Sequence, residues 1–184
     1  MMRVITGSAR GRRLETLPGE DVTRPTTESV KEALFSMIQF DIEGRRVLDL
    51  FAGSGQLGIE ALSRGARSCT FVENNRAAKQ VVERNLVHCR LEEQANVVFS
   101  DALSFLNRSG TYDLVLLDPP YGKGILQRVL PALVPWLSDD AMVVCESGRD
   151  EELPAQVGSF VLDRERRHGK TKIALYLRGK DLAE

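Results

Sequence analysis

A chain of 184 residues, 42% apolar and 28% charged, has the size and composition of a single soluble domain that can fold alone, with no room for a second catalytic domain. Its net charge of −1 excludes the global positive field of a non-specific nucleic-acid binder. The amino terminus lacks the apolar segment of a signal peptide, no stretch approaches the ~20 apolar residues of a membrane span, and Cys69, Cys89 and Cys145 are widely spaced without a C-x-x-C pattern. A cytoplasmic protein without a disulfide framework, metal or membrane association is therefore expected, and a monomer fits its length and charge.

In chain order, Arg3, Arg10, Arg12 and Arg13 all precede the first acidic residue, Glu15. Residues 1–25 read as a basic arm or hairpin ahead of one α/β domain over 26–184. Phosphate contacts are the natural use of such a cluster, a solvated surface its bland alternative. Next, Val30, Ala33, Leu34, Met37 and Ile38 recur with helical spacing, and Ser29 with Glu32 matches a capping box, so a helix should begin there and lie against a sheet.

Val47 to Gly58 follows as a short apolar strand, a glycine-rich turn and a helix beginning near Leu57. Gly53, Gly55 and Gly58 satisfy the G-x-G-x-x-G fingerprint, and Glu73 lies 20 positions after Gly53, where an acidic ribose ligand belongs. A nicotinamide or flavin site would use these residues. Asp49 argues against one, because a carboxylate at the end of the strand repels a pyrophosphate but suits the ammonium of S-adenosylmethionine. Phe71-Val72-Glu73-Asn74 ends a second strand, and Ser100-Asp101-Ala102 follows a third, Asn96 to Phe99. Asp101 could receive an adenine amino group; taken alone, an acid in that place is more often a helix N-cap. All of these positions fall at the carboxyl ends of successive strands, the binding edge of an open α/β sheet.

Leu114 to Leu117 leads into Asp118-Pro119-Pro120-Tyr121. This run reads as a grip for a planar amine, whose lone pair is delocalised and must be drawn out of conjugation. The Asp118 carboxylate and Pro119 carbonyl can accept its two N–H groups, the prolines hold the loop stiffly, and the Tyr121 ring can stack on a base. A strand followed by a plain Asp-Pro turn is the competing reading.

Between and beyond these motifs, Ala78, Val82, Leu86 and Cys89 give a second helical stripe, and His88-Cys89 reads as a helix end. Leu126, Val129, Leu130, Leu133 and Val134 give a third, with Pro131 and Pro135 expected to split or kink it. Extended segments are predicted over Met142 to Glu146, Phe160 to Arg167 and Lys172 to Leu177. Arg164, Arg166, Arg167, Lys170 and Lys172 crowd the last pair with only Glu165 opposing. The alternation throughout predicts a single doubly wound sheet.

Together these residues resemble the class I S-adenosylmethionine-dependent methyltransferases, and within them the RsmD-type 16S ribosomal RNA guanine-N2 methyltransferases. The arginine-rich start, with Arg10-Gly11-Arg12-Arg13-Leu14, and the run Arg24-Pro25-Thr26-Thr27 before Val30 to Phe35 are the parts most particular to that family; Gln56 and Glu28 depart slightly from its pattern. The resemblance implies a Rossmann-like, mostly parallel seven-stranded sheet with an antiparallel last strand and a small basic N-terminal extension. It implies S-adenosylmethionine bound by Arg24, Thr26, Asp49, Phe51, Gly53, Gly55, Glu73, Asn74, Asp101, Ala102 and Asp118. Methyl transfer would be carried by Asp118, Pro119, Pro120 and Tyr121, and 16S ribosomal RNA, or the assembling small subunit, would be held by Arg10, Arg12, Arg13, Arg167 and Lys170.

Rival readings use the same residues. A DNA adenine-N6 methyltransferase shares the amine grip but commonly needs an added recognition region. A protein glutamine methyltransferase would favour Asn at position 118 and leave the basic arm unused. An RNA-binding assembly factor without chemistry would not require the full set of acidic and glycine positions.

Overall fold

The computed structural model of the chain describes residues 2–18 and 28–180. Strands β1 (Met2–Arg3) and β2 (Arg13–Leu14) pair antiparallel as a small ribbon. The main sheet contains β3 (Arg46–Asp49), β4 (Ser68–Glu73), β5 (Ala95–Phe99), β6 (Tyr112–Leu117), β7 (Leu137–Gly148), β8 (Gln156–Val157), β9 (Phe160–His168) and β10 (Thr171–Arg178). Five α-helices lie among the described residues: α1 (Glu28–Ile38), α2 (Gln56–Ser63), α3 (Arg76–Cys89), the single turn α4 (Ala102–Phe105) and α5 (Ile125–Leu133).

Strand order is β5-β4-β3-β6-β7-β10-β9-β8. β3 to β7 run parallel, whereas β10 inserts between β7 and β9 and is antiparallel to both. Chain order reverses between β3 and β6. A crevice therefore opens at their carboxyl ends, where Asp49 ends one strand and Asp118 follows the other. Leu114 to Leu117 are fully buried, as a central parallel strand covered on both faces requires.

One face of the sheet packs on α1, α2, α3 and the N-terminal arm, through residues such as Leu34, Ile59 and Leu86. Its other face packs on α4, α5 and Trp136. The arm shares the first of these cores, because Val4, Ala9 and Leu14 are buried in it. Its backbone is fastened to α2: Glu60 accepts from the amides of Ile5 (2.9 Å) and Thr6 (3.0 Å), and the Ser63 hydroxyl accepts from Ala9 (2.9 Å).

Several sequence expectations change here. The sheet has eight strands rather than seven, because the two residues of β8 add an edge beside β9. Helix α1 is described from Glu28, and Ser29 is a residue of the helix itself rather than its cap, its hydroxyl meeting His168 Nε2 at 3.2 Å. The buried face of α1 is also wider than its stripe, taking in Lys31 and Phe35 while Ala33 is only partly covered. Pro131 does not split α5: it lies in the last turn, and the chain then tightens to a 3₁₀ turn over Val134–Trp136. Strand β7 is much longer than the expected Met142 to Glu146.

Candidate active site

The glycine turn joins β3 to α2. Gly53 and Gly55 have φ of 56° and 82°, a left-handed backbone that a Cβ disfavours, and so they let the chain reverse tightly into the helix. Gly58 has a packing reason: a Cβ there would come within 2.3 Å of the Phe71 ring on β4. That close approach brings the Gly58 amide to Asp49, whose Oδ2 it meets at 3.0 Å. Asp49 is 1% exposed, and its Oδ1 has no hydrogen-bond partner among the described residues. Burial, with the nearby Glu73 charge, pushes the Asp49 carboxyl up to about 7, although the Gly58 and Phe51 amides oppose the shift.

Glu73 ends β4 and is oriented by two backbone donors, Gly53 N at 2.8 Å and Asn75 N at 2.9 Å. Asn75 in turn caps α3 by accepting from Ala78 N at 3.0 Å. Asp101 caps α4, accepting from Ser104 N at 3.0 Å, and these hydrogen bonds hold its carboxyl below the ordinary range. It is exposed, so the cap leaves the rest of its carboxylate facing solvent beside the crevice.

A cavity of about 480 Å³ opens over these strand ends, walled by Phe51, Gly53, Glu73, Asn74, Ala102 and Asp118, with Pro120 at its rim. Asp49 and Gly55 lie buried behind the glycine turn rather than in the wall. Pro119 is buried, and Tyr121 is half-buried with its hydroxyl donated to Glu146 Oε1 at 2.5 Å. Arg24 and Thr26 lie outside the described residues. Sequence reasoning missed Leu17 and Lys123, which also line the cavity. A lone leucine in an arm and a lysine between Gly122 and Gly124 carry no periodicity or spacing to single them out.

The arrangement is acidic beneath the turn, acidic at the end of β4 and aromatic at Phe51. It fits a ligand bearing an ammonium at one end and a ribose diol further along, since Asp49 Oδ1 lacks a donor and Glu73 is held by backbone with further lone pairs to offer. A pyrophosphate would meet two carboxylates.

Of the basic residues expected to face nucleic acid, Arg10, Arg13, Arg167 and Lys170 are exposed. Arg12 is partly covered and donates to the His88 carbonyl at 2.6 Å, at the end of α3. Lys172 does not belong to the exposed basic cluster. It is 6% exposed, pairs with Glu165 at 3.2 Å and donates to the Glu151 carbonyl. No helix is long and apolar enough to cross a membrane, and no group of three metal-ligating side chains is found, among the described residues.

The family described as conserved hypothetical protein 95 matches residues 2–177. The ribosomal RNA small subunit methyltransferase D of Escherichia coli is 39% identical over 180 residues, 96% of this chain and 90% of that protein. YlbH of Bacillus subtilis, provisionally named an rRNA methyltransferase, is 42% identical over 181 residues, 95% of this chain and 98% of that one. Among solved structures, yhhF of Escherichia coli superposes with a TM-score of 0.84 at 38% identity, covering 96% of this chain and 97% of that one.

Proposed function

The chain belongs to the conserved hypothetical protein 95 family, whose matched members are methyltransferases, and on that premise we propose that it transfers a methyl group from S-adenosylmethionine to the exocyclic N2 of a guanine in small-subunit (16S) ribosomal RNA. The observation that carries the reading is the buried Asp118 carboxylate where β6 ends, in the wall of the same cavity as Glu73 and Phe51. When bound, the cofactor supplies an electrophilic methyl group on a sulfonium. Asp49 neutralises the ammonium end, Glu73 takes the ribose hydroxyls, and Phe51, Asn74 and Ala102 enclose the remainder.

Asp118 orients the target amine, accepting one N–H while the Pro119 carbonyl accepts the other, which aims the lone pair into the cavity. Alignment of this kind supplies much of the rate in a direct transfer between two bound groups. Asp118 also stands ready to take the proton that the methylated amine sheds. A base turned out of a stacked RNA segment costs a few kcal/mol, and stacking on Tyr121 offsets part of that. Residues 2–14 and the β9–β10 turn form the RNA-facing surface, with Arg10, Arg13, Arg167 and Lys170 exposed for phosphates. The names of the relatives support a ribosomal substrate, and the two N–H groups of a guanine N2 amine suit the two acceptors.

Radiolabelled methyl transfer to unmethylated small subunits, naked 16S RNA, duplex DNA and a protein extract, with hydrolysis and identification of the product, tests this directly. N2-methylguanosine from either ribosomal substrate, lost at least ~10³-fold in Asp118→Ala with S-adenosylhomocysteine binding retained, is expected. Methyladenine in DNA or methylglutamine in protein would move the substrate elsewhere, and near-normal turnover by Asp118→Ala would remove its role.

A further inference from the structure

Tyr121 is assigned above for its ring, yet its hydroxyl is the better-defined half of the side chain. It donates to Glu146 Oε1 at 2.5 Å and lies 3.4 Å from the Thr171 hydroxyl. Both partners come from the sheet rather than from the catalytic loop. Glu146 is on β7, paired with Ile173 of β10, and the β6–β7 ladder, which matches Leu117 with Cys145, sets it level with Asp118. Thr171 opens β10 immediately after Lys170.

Glu146 is 0% exposed. Removing a carboxylate from water costs several kcal/mol, and an apolar side chain would fill such a place on a central strand at lower cost. A chain that keeps an acid there is using its oxygen. Burial and the adjacent carboxylate hold the Tyr121 hydroxyl well above its ordinary pKa, so it remains a donor across the working pH range.

An aromatic ring on a surface loop swings about two side-chain torsions; a hydroxyl anchored at its far end cannot. We propose that Glu146, assisted by Thr171, is a positioning residue that latches the Tyr121 hydroxyl and so fixes the plane of the ring on which the target base is laid against Asp118. The proposal rests on the stacking role given to Tyr121 above and adds its cause. Its ligand-side consequence is geometric: with the ring free, the base still enters but is misaligned, and misplacement of about an ångström costs roughly ten- to a hundredfold in turnover.

The test is a double-mutant cycle in kcat and KM with unmethylated small subunits, using Tyr121→Phe, Glu146→Ala and their combination, alongside Glu146→Gln and Tyr121→Leu. S-adenosylhomocysteine affinity and melting temperature report whether each variant is folded. Tyr121→Phe and Glu146→Ala should each lower kcat roughly tenfold, with the double variant no worse than either, because they remove the same bond. Glu146→Gln, whose amide oxygen still accepts, should recover most of the loss. Additive or absent effects in the cycle overturn the latch while a large defect in Tyr121→Leu leaves the ring's role standing. Normal KM and kcat in Tyr121→Leu would overturn the stacking role and the latch with it. Should Glu146→Ala not fold, Tyr121→Phe decides against Glu146→Gln: wild-type turnover in Tyr121→Phe rejects the latch, and a tenfold loss beside an active Glu146→Gln upholds it.

Discussion

Asp49 and Glu60 are both carboxylates with 1% exposure or less, at either side of the same turn and helix, and they are treated in opposite ways. Glu60 is saturated. It accepts from Ile5 N, Thr6 N and Arg64 Nε, and Lys31 Nζ, itself fully buried, stands 3.5 Å from its Oε2. Lys31 also donates to the Arg3 carbonyl at 2.6 Å. Asp49 receives the Gly58 amide on one oxygen and no hydrogen bond from any described residue on the other. A buried charge satisfied from every side by its own chain holds the chain together, here the N-terminal arm to α2. One left half-satisfied behind the glycine turn that borders the cavity awaits a partner from outside.

The contrast breaks most visibly if Glu60 is removed. Glu60→Ala leaves the Lys31 ammonium buried without its counter-ion and two arm amides without an acceptor. Deleting one member of such a pair typically costs ~3–5 kcal/mol, so chemical denaturation should show a loss of that size. Burial already depresses the Lys31 pKa, and Glu60 is the main group opposing that shift; Lys31 in Glu60→Ala therefore should shed its proton more readily still. Because the arm hangs on Glu60, RNA affinity should fall with stability, while S-adenosylhomocysteine affinity measured below the melting range should hold. A stability change under ~1 kcal/mol would contradict the clamp.

Asp49→Asn should do the reverse. The Asp49 carboxyl is raised from 3.8 to about 7 in the folded chain, chiefly by burial. A raised pKa means that the folded state holds a proton the unfolded state gives up, so this group's contribution to stability is complete below pH 3.8 and is lost as pH rises through about 7. Without ligand, the wild type should lose stability relative to Asp49→Asn between pH 5 and pH 8. A ligand that brings an ammonium group reverses the preference: affinity for S-adenosylhomocysteine should strengthen as pH rises toward 7 and then level, and Asp49→Asn should flatten that rise and bind roughly ten- to 150-fold more weakly, in keeping with a charge-assisted bond of ~1.5–3 kcal/mol. Melting curves at the two pH values, with and without ligand, check both halves. Parallel pH profiles in the two proteins would mean that Asp49 does not titrate.

The same contrast separates what the sequence disclosed from what it withheld. Asp49, Glu73 and Asp118 were legible because each follows an apolar strand, and strand ends are marked locally by glycine, proline and a change of polarity. The α3 stripe was legible through another local signal, its helical spacing: Ala78, Val82, Leu86 and Cys89 are all buried. Glu60 was not, since Ile5 lies 55 residues away from it and nothing within one turn of helix signals that pairing. Glu146 is 25 residues from Tyr121 and looked like the end of an apolar strand. Spacing groups Lys172 with the basic cluster of the hairpin, whereas the β9–β10 register sets it opposite Arg167 with Glu165, its ion-pair partner, on the same face. Strand β8, two residues long, is below the reach of any periodicity. Long-range pairing of polar groups is the part that composition and spacing do not encode.

The smallest effect should come from the arm's outer surface, where no burial amplifies a charge. Neutralising Arg10, Arg12 and Arg13 to Gln together should weaken RNA binding by roughly tenfold at moderate salt and reduce the slope of log affinity against log salt by about 2, given ~0.7 to 0.9 for each phosphate no longer neutralised. The three should not contribute equally. Arg10 and Arg13 are exposed, whereas the Arg12 guanidinium is already engaged with the His88 carbonyl at the end of α3. Arg12→Gln alone should therefore lower the salt slope least and the melting temperature most, because it removes an internal hydrogen bond worth ~1 kcal/mol. Filter binding across a salt series with each single variant separates the two outcomes. Equal slopes for all three would place Arg12 on the RNA beside its neighbours, and an unchanged affinity in the triple variant would take the arm out of the RNA interface while leaving Glu60 its purely architectural task.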